Sequence, residues 1–267
     1  MLDVPTTVSR RSDLGQFLRI RRSALRPVDV GLEGESNRRH VAGLRREEVA
    51  KLAGISTTWY TWIEQAREIN FSLDVIDEIG RALLLTPPEI AYLKVLASDT
   101  PPQTCTLEPE IPEALRKLVE LHHAAPAYLA TPRLDLLVWN SLVAEIFDYH
   151  EGGELLSRNV LWRMFFDPSR RQLYVDWHTA ARGCVAVFRN IYATYYGDRH
   201  FDDLLVTMMR DPEFTRMWND WEVLAPDVPA FLVRHSTLGL CELEPIQATL
   251  GISPGCYLAL FSSKNLS

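Results

Sequence analysis

The sequence predicts two domains: an all-α N-terminal domain of five helices over residues 1–97, and an α+β domain over 106–267 with one antiparallel sheet of about five strands. Three observations predict this. Apolar residues recur at helical spacing up to residue 97, with caps and Gly or Pro stops between the runs. The stretch SDTPPQTCTLEP then interrupts the pattern, and a linker is expected at 98–105. Beyond it, short β-prone runs lie early and late, with helical periodicity between them. The 267-residue length suits two domains of roughly 100–200 residues each. A hydrophobic share of 47% against 24% charged residues is enough to build ordinary cores.

The first helix is expected over SDLGQFLRIRRSAL, 12–25, with Ser12 as N-cap and Leu14, Phe17, Leu18 and Leu25 on one face. A long loop rich in Gly, Pro, Glu and Ser follows, ending in Arg38, Arg39 and His40. LRREEVAKLA reads as a short second helix, with Leu44, Val49, Leu52 and Ala53 inward. Gly54 stops it, since glycine alone takes the left-handed backbone without steric penalty. Ile55 plugs the turn and Ser56 caps the third helix, whose buried face carries Tyr60 and Ile63. SLDVIDEIGRALLL (72–85) and TPPEIAYLKVLA (86–97) complete the five, the last with proline just inside its start.

Helix, three-residue turn with glycine, then helix is the geometry of DNA-binding helix-turn-helix units. The sequence here resembles the lambda-repressor-like, XRE-type regulators. The resemblance rests on Arg46-Glu47-Glu48-Val49-Ala50, Gly54-Ile55-Ser56 and Ile63-Glu64. It departs from them at Arg46, where they commonly have Gln, and at Ala66, where they commonly have Gly, which leaves the third helix free to run on toward Arg67. A recognition helix over 56–66 is therefore expected in the major groove of double-stranded DNA. Ser56 sits at its start, Thr57, Thr58 and Thr61 are the expected base contacts, and Trp59 and Trp62 border them. Packing of the two tryptophans against helix two or a dimer partner is the equal alternative. Arg38, Arg39, Arg45, Arg46 and Lys51 are the expected phosphate contacts. Helix-turn-helix proteins usually dimerise to reach successive grooves, so a homodimer is expected.

The second half begins with a helix over IPEALRKLVELHHA, then a hairpin of Ala127–Ala130 and Leu136–Trp139 turned at Thr131-Pro132. SLVAEIFDY, RNVLWRMFFD, the long WHTAARGCVAVFRNIYATYY, FDDLLVTMMR and PEFTRMWNDW read as helices. PAFLVRHS, LGLCELEP and CYLALFSS read as three strands. This half resembles the ligand-binding domain of MmyB-like regulators through Pro126-Ala127-Tyr128, Leu136–Asn140, Asp167-Pro168, Tyr174-x-Asp176-Trp177, Asp211–Trp218, and His235 with Leu238-Gly239-Leu240. The resemblance implies a PAS-like fold and a one-component regulator in which a small molecule alters DNA binding. It also implies a small apolar, fatty-acid-like ligand. Trp139, Asn140, Phe147, Trp162, Met164, Phe165, Trp177, Phe188, Met208 and Trp218 are the expected lining, with Asn140 or Arg163 holding a polar head group. For any one of these aromatic and aliphatic residues, core packing is the competing assignment.

Charge distribution agrees with a nucleic-acid module joined to a different one. The net charge is −7, yet residues 8–67 hold 12 basic against 7 acidic side chains, while 98–267 hold 14 against 22. Four scattered cysteines without a C-x-x-C pair suit free thiols rather than a metal or disulfide framework, so no metal is expected. No run approaches the roughly 20 apolar residues of a membrane span, and no signal-peptide core follows the first charges, so a cytoplasmic protein is expected. No G-x-S-x-G elbow, H-E-x-x-H helix or phosphate loop is present, so no catalytic residues and no cofactor are expected. The alternative for the second domain is a protein partner in place of a small molecule.

Overall fold

A serine opens the first helix, but it is Ser9 rather than Ser12. In the computed structural model, α1 spans Arg10–Ala24, and the Ser9 side chain accepts from the Ser12 amide. The structure describes residues 9–32, 43–223, 230–250 and 255–263. The chain divides into two units, Met1–Pro101 and Pro102–Ser267. The linker expected at 98–105 straddles this division, and its later residues are held by the second unit. There the Gln103 amide donates to the Thr194 carbonyl at 3.2 Å and the Cys105 amide to Asp198 Oδ2 at 2.9 Å.

In the first unit a 3-10 turn at Pro27–Val30 lies within the expected loop, ahead of α2 (Arg46–Leu52), α3 (Thr57–Glu64), α4 (Leu73–Ala82) and α5 (Pro87–Ala97). The five expected helices are thus present. Leu14, Phe17, Leu18, Leu44, Val49, Tyr60, Ile63, Ile76, Ile79 and Leu93 form the core. Leu52, expected inward, is instead 38% exposed, because the helix has turned its last residue past the buried face. Helix α2 ends as a Schellman motif: Gly54 is left-handed (φ 67°), and the Ile55 amide donates to the Ala50 carbonyl at 3.0 Å. Gly15 serves a different purpose. A Cβ there would meet the Glu64 carbonyl at 2.5 Å, so glycine is what lets α1 lie against the end of α3.

The second unit opens with α6 (Glu113–Glu120), β1 (Ala127–Ala130) and β2 (Leu136–Trp139). Seven elements follow: α7 (Ser141–Phe147), a 3-10 turn, α8 (Val160–Phe166), α9 (Pro168–Leu173), α10 (Trp177–Thr194), α11 (Arg199–Met208) and α12 (Pro212–Asn219). Strands β3 (Phe231–His235), β4 (Gly239–Thr249) and β5 (Tyr257–Ser263) close the chain. All five strands pair antiparallel in the order β2-β1-β5-β4-β3. The α+β expectation holds, with two additions. Asp167-Pro168 ends α8 but also starts α9, since the Asp167 side chain caps the Ser169 amide and Pro168 takes the first position, where no N–H is needed. Strand β4 is longer than expected because its second half, Glu244–Thr249, pairs with β5 alone.

Strand alternation sends Tyr128 and Ala130 into the main core and Ala127 and Leu129 under α6, against Leu115 and Val119. The hairpin turn is held by a buried ion pair. Arg133 Nε and Nη2 donate to the two Asp135 carboxylate oxygens at 2.7 and 2.9 Å, and Asn159 Nδ2 donates to Asp135 Oδ1 at 2.9 Å.

Candidate DNA interface and ligand cavity

Helix α3 presents its expected residues as the sequence pattern requires. Ser56 Oγ accepts from the Trp59 amide at 3.1 Å, which satisfies one of the amides left open at the helix start. Tyr60 and Ile63 are buried, Thr57 and Thr58 are exposed, and Trp59, Thr61 and Trp62 are half-buried. The Thr61 hydroxyl donates to the Thr57 carbonyl at 2.7 Å, which uses its proton and leaves its oxygen able to accept. The half-burial of the tryptophans fits a border position, and the Trp62 ring carries the Arg67 guanidinium 5.8 Å from its centroid.

Helix α3 does not run on to Arg67. Ala66 itself adopts the left-handed backbone (φ 57°), and the Arg67 amide closes a second Schellman motif on the Trp62 carbonyl at 3.0 Å. The tertiary context therefore imposes on an alanine the conformation in which glycine is at ease.

Of the expected phosphate contacts, Lys51 is exposed and Arg45, at the start of α2, is 45% exposed with Glu47 at 3.5 Å. Arg38 and Arg39 lie outside the described residues. Arg46 is engaged inside the protein: its Nε and Nη2 donate to Glu64 Oε1 at 2.9 and 2.7 Å. It keeps 40% of its side chain exposed, so a phosphate oxygen can still reach it. Glu64 is the residue that the sequence pattern left without a role. Its side chain is fully buried and also accepts from Arg22 at 2.8 and 3.0 Å, with Arg19 at 3.9 Å. Burial alone would raise the Glu64 carboxyl, but the Arg22 and Arg46 hydrogen bonds outweigh it and hold it below its ordinary value. Three guanidinium groups share one carboxylate, so this corner stays net positive.

The second unit holds a partly open cavity of about 340 Å³ between the sheet and the helices α7 to α10. That is within the range of small-molecule sites, at its lower end. Ala180, Gly183, Cys184 and Val187 form one face of α10 along the cavity, and their small size leaves the space open. A Cβ built at Gly183 would touch nothing within 4 Å. Opposite lie Tyr128, Phe147, Tyr149, Tyr174, Phe231, Tyr257 and Phe261. Burial pushes the phenols of Tyr128, Tyr149, Tyr174 and Tyr257 above their ordinary range, so all four stay as hydroxyls that can donate. The exposed rim includes Val175, Asp176, Thr179, Leu232 and Gln247.

Of the ten lining residues expected from sequence, Phe147 and Met164 line this cavity and the other eight do not. Phe165, Trp177, Phe188, Met208 and Trp218 are buried in the helical core, where Phe165 meets Trp177 edge-on and Trp218 stacks on Phe214. Trp139 packs on Tyr149 and Trp162 stacks on Phe166. Neither expected head-group holder lines the cavity. Asn140 caps α7, accepting from the Val143 amide at 3.1 Å and donating to the His122 and Ala125 carbonyls. Arg163 is paired with Asp167 at 2.5 Å and donates to the Asp148 carbonyl at 2.7 Å. Among the described residues, the one buried cation on the cavity wall is Arg170, which sequence reasoning did not select. One signal was available in the sequence: Ala180, Gly183, Cys184 and Val187 give α10 a face of small residues beside a face of large ones.

Among the described residues, no helix is long and apolar enough to cross a membrane. Comparison with known families finds the MmyB-like transcription regulator ligand binding domain over residues 111–264 and a helix-turn-helix domain over 13–93. No curated protein matches the chain. With a helix-turn-helix unit ahead of it and the matched domain covering more than half its length, the chain belongs to the MmyB-like transcription regulators, which join a DNA-binding domain to a ligand-binding one.

Proposed function

We propose that the protein is a one-component regulator in which a small apolar molecule, fatty-acid-like in shape, occupies the second domain and changes how the first binds DNA. The observation that carries the ligand half is the aromatic-lined cavity of about 340 Å³ beneath the small-residue face of α10. A concave, mostly apolar space of this kind suits a small molecule better than a protein partner, which would need a broad exposed apolar patch.

In this reading α3 enters the major groove with Thr57, Thr58 and Thr61 toward the base edges, bordered by Trp59 and Trp62, while Ser56 holds the helix start. Arg45, Arg46 and Lys51, with Arg38 and Arg39 ahead of them, neutralise phosphates and make binding salt-dependent. Threonine reads several bases and no Arg, Asn or Gln stands on the outer face before Gln65, so specificity from this helix is moderate and draws on DNA shape. Two copies acting as a homodimer would span successive grooves. The site of action is the cytoplasm, and the role is regulatory rather than catalytic.

The test is native mass spectrometry on freshly purified full-length protein, denaturing extraction of one portion to identify any bound molecule, and operator selection from random DNA by untreated protein and by protein stripped of ligand under native conditions. One apolar molecule per chain and a shift in DNA affinity on its removal are the expected results. Repeated recovery of empty protein, together with DNA affinity indifferent to added lipophilic compounds, would overturn the ligand half and leave the DNA half standing.

A further inference from the structure

We infer that a second copy of this chain docks on the outer face of the second-unit sheet, through the leucine flank of α6 and the bare strands beside it. The inference rests on the homodimer reading above and gives that homodimer a location. Helix α6 has four sides. Leu115 and Val119 are buried against β1 and β2. Glu113 and Lys117 pair at 3.4 Å on the side away from the sheet. Arg116 and Glu120 occupy one flank, where they share a polar hollow with Trp139 of β2 and with Arg158. Strand β2 is an edge of the sheet, so that flank looks off the edge. Helical spacing puts Ala114, Leu118 and Leu121 on the opposite flank, which therefore looks across the sheet toward β5 and β4. There Leu118 is 62% and Leu121 68% exposed, and no charged side chain stands between them.

The strands on that side complete the patch. Register pairs Ile246 with Leu260 and Ala248 with Leu258, so these four share the outer face. Leu258 and Leu260 are half-buried beside α6, whereas Ile246 is 58% exposed and Ala248 is exposed. The result is an apolar trough, floored by β5 and β4, next to an apolar ridge on α6. Glu244 and Ser262, hydrogen-bonded at 3.2 Å, close one end with a polar rim. A two-fold interface uses the same patch on both copies, so the patch must carry its own complement. A ridge beside a trough meets that requirement, with the Leu118–Leu121 ridge of each copy seated in the trough of the other. Neither half offers a charge that would select a partner of opposite sign, which favours a like partner. Buried once on each copy, apolar surface of this extent comes to the order of 1,000 Å², about the least that a stable association needs.

The test follows the oligomeric state of the full-length protein by sedimentation velocity across a dilution series, with the folding of each variant checked by circular dichroism. The unaltered protein should be a dimer. Leu118→Glu on the ridge and Ile246→Lys in the trough should each shift it toward monomer, raising the dissociation constant about tenfold or more, since each forces an unpaired charge into the apolar contact. Arg116→Glu, on the other flank of the same helix, should leave that constant within about twofold. Should the ridge and trough variants fail to fold, hydrogen exchange in the unaltered protein decides, with amides at 113–121 and 244–249 exchanging more slowly in concentrated than in dilute samples. A dimer indifferent to both substitutions, one weakened as much by Arg116→Glu, or the absence of that protection would overturn the docking face and leave the homodimer reading intact. A monomer at every concentration would overturn both, and would leave the leucine ridge to a partner other than a second copy.

Discussion

Arg22 on α1 and Glu64 at the end of α3, 42 residues apart, meet through a two-pronged hydrogen bond of 2.8 and 3.0 Å around a fully buried carboxylate. The remaining nitrogen of Arg22 reaches the Leu44 carbonyl at 2.7 Å, so one side chain joins α1, the entry to α2 and the end of the recognition helix. Orientation of α3 thus depends on a polar contact as well as on the apolar core.

Glu64→Gln leaves three arginines around a neutral amide, and breaking a buried pair by removing one partner costs about 3–5 kcal/mol. Urea unfolding of the first domain should show a loss of that order. A loss below about 1 kcal/mol would mean that the apolar contacts alone orient α3.

The same pair has a signature in acid. A carboxyl whose folded value lies below its unfolded one contributes stability fully above the ordinary carboxylate range and loses it as pH falls through the lowered value. Thermal unfolding between pH 7 and pH 2 should therefore show the unaltered protein losing stability below about pH 4 more steeply than Glu64→Gln. Parallel curves would remove Glu64 as the titrating group.

Ala66 occupies a left-handed backbone that costs a residue with a Cβ roughly 1 kcal/mol or more. Ala66→Gly should stabilise the first domain by about 0.5–1 kcal/mol, after the greater unfolded-chain entropy of glycine is subtracted. Denaturant midpoints read this directly, and a lower midpoint would show that the turn is not strained.

Thr58→Ala combined with Thr61→Ala removes the exposed Thr58 hydroxyl and the half-buried Thr61 hydroxyl from α3 without touching Tyr60 or Ile63. Binding to a selected operator should weaken by about tenfold or more, with circular dichroism and nonspecific DNA affinity unchanged. Equal affinity and selectivity in the double variant would remove these two residues from the base contacts.

Gly183 faces open space on α10, so Gly183→Ala should raise stability by about 1 kcal/mol through helix propensity alone. Gly183→Leu should fill the cavity and exclude the ligand while the fold persists. Co-purification of the same bound mass with the leucine variant would show that the ligand sits elsewhere.

The sequence by itself determined most of the elements and their order, with α9 the helix it missed. Caps at Ser56 and Thr86, the stop at Gly54 and the β1–β2 hairpin were all readable because they depend on neighbours a few residues away. The small-residue face of α10 was equally readable, though its meaning was not. Only the tertiary structure decided which large apolar residues pack together and which stop short of contact. Tyr128, Phe147, Phe231 and Tyr257 come from four separate elements, and in sequence nothing sets them apart from the core residues Phe165, Phe188 or Trp218. A cavity is an absence of contact among distant segments, and local spacing carries no record of it. The same holds for Glu64, whose burial beneath three arginines is fixed by where α1 and α2 come to lie.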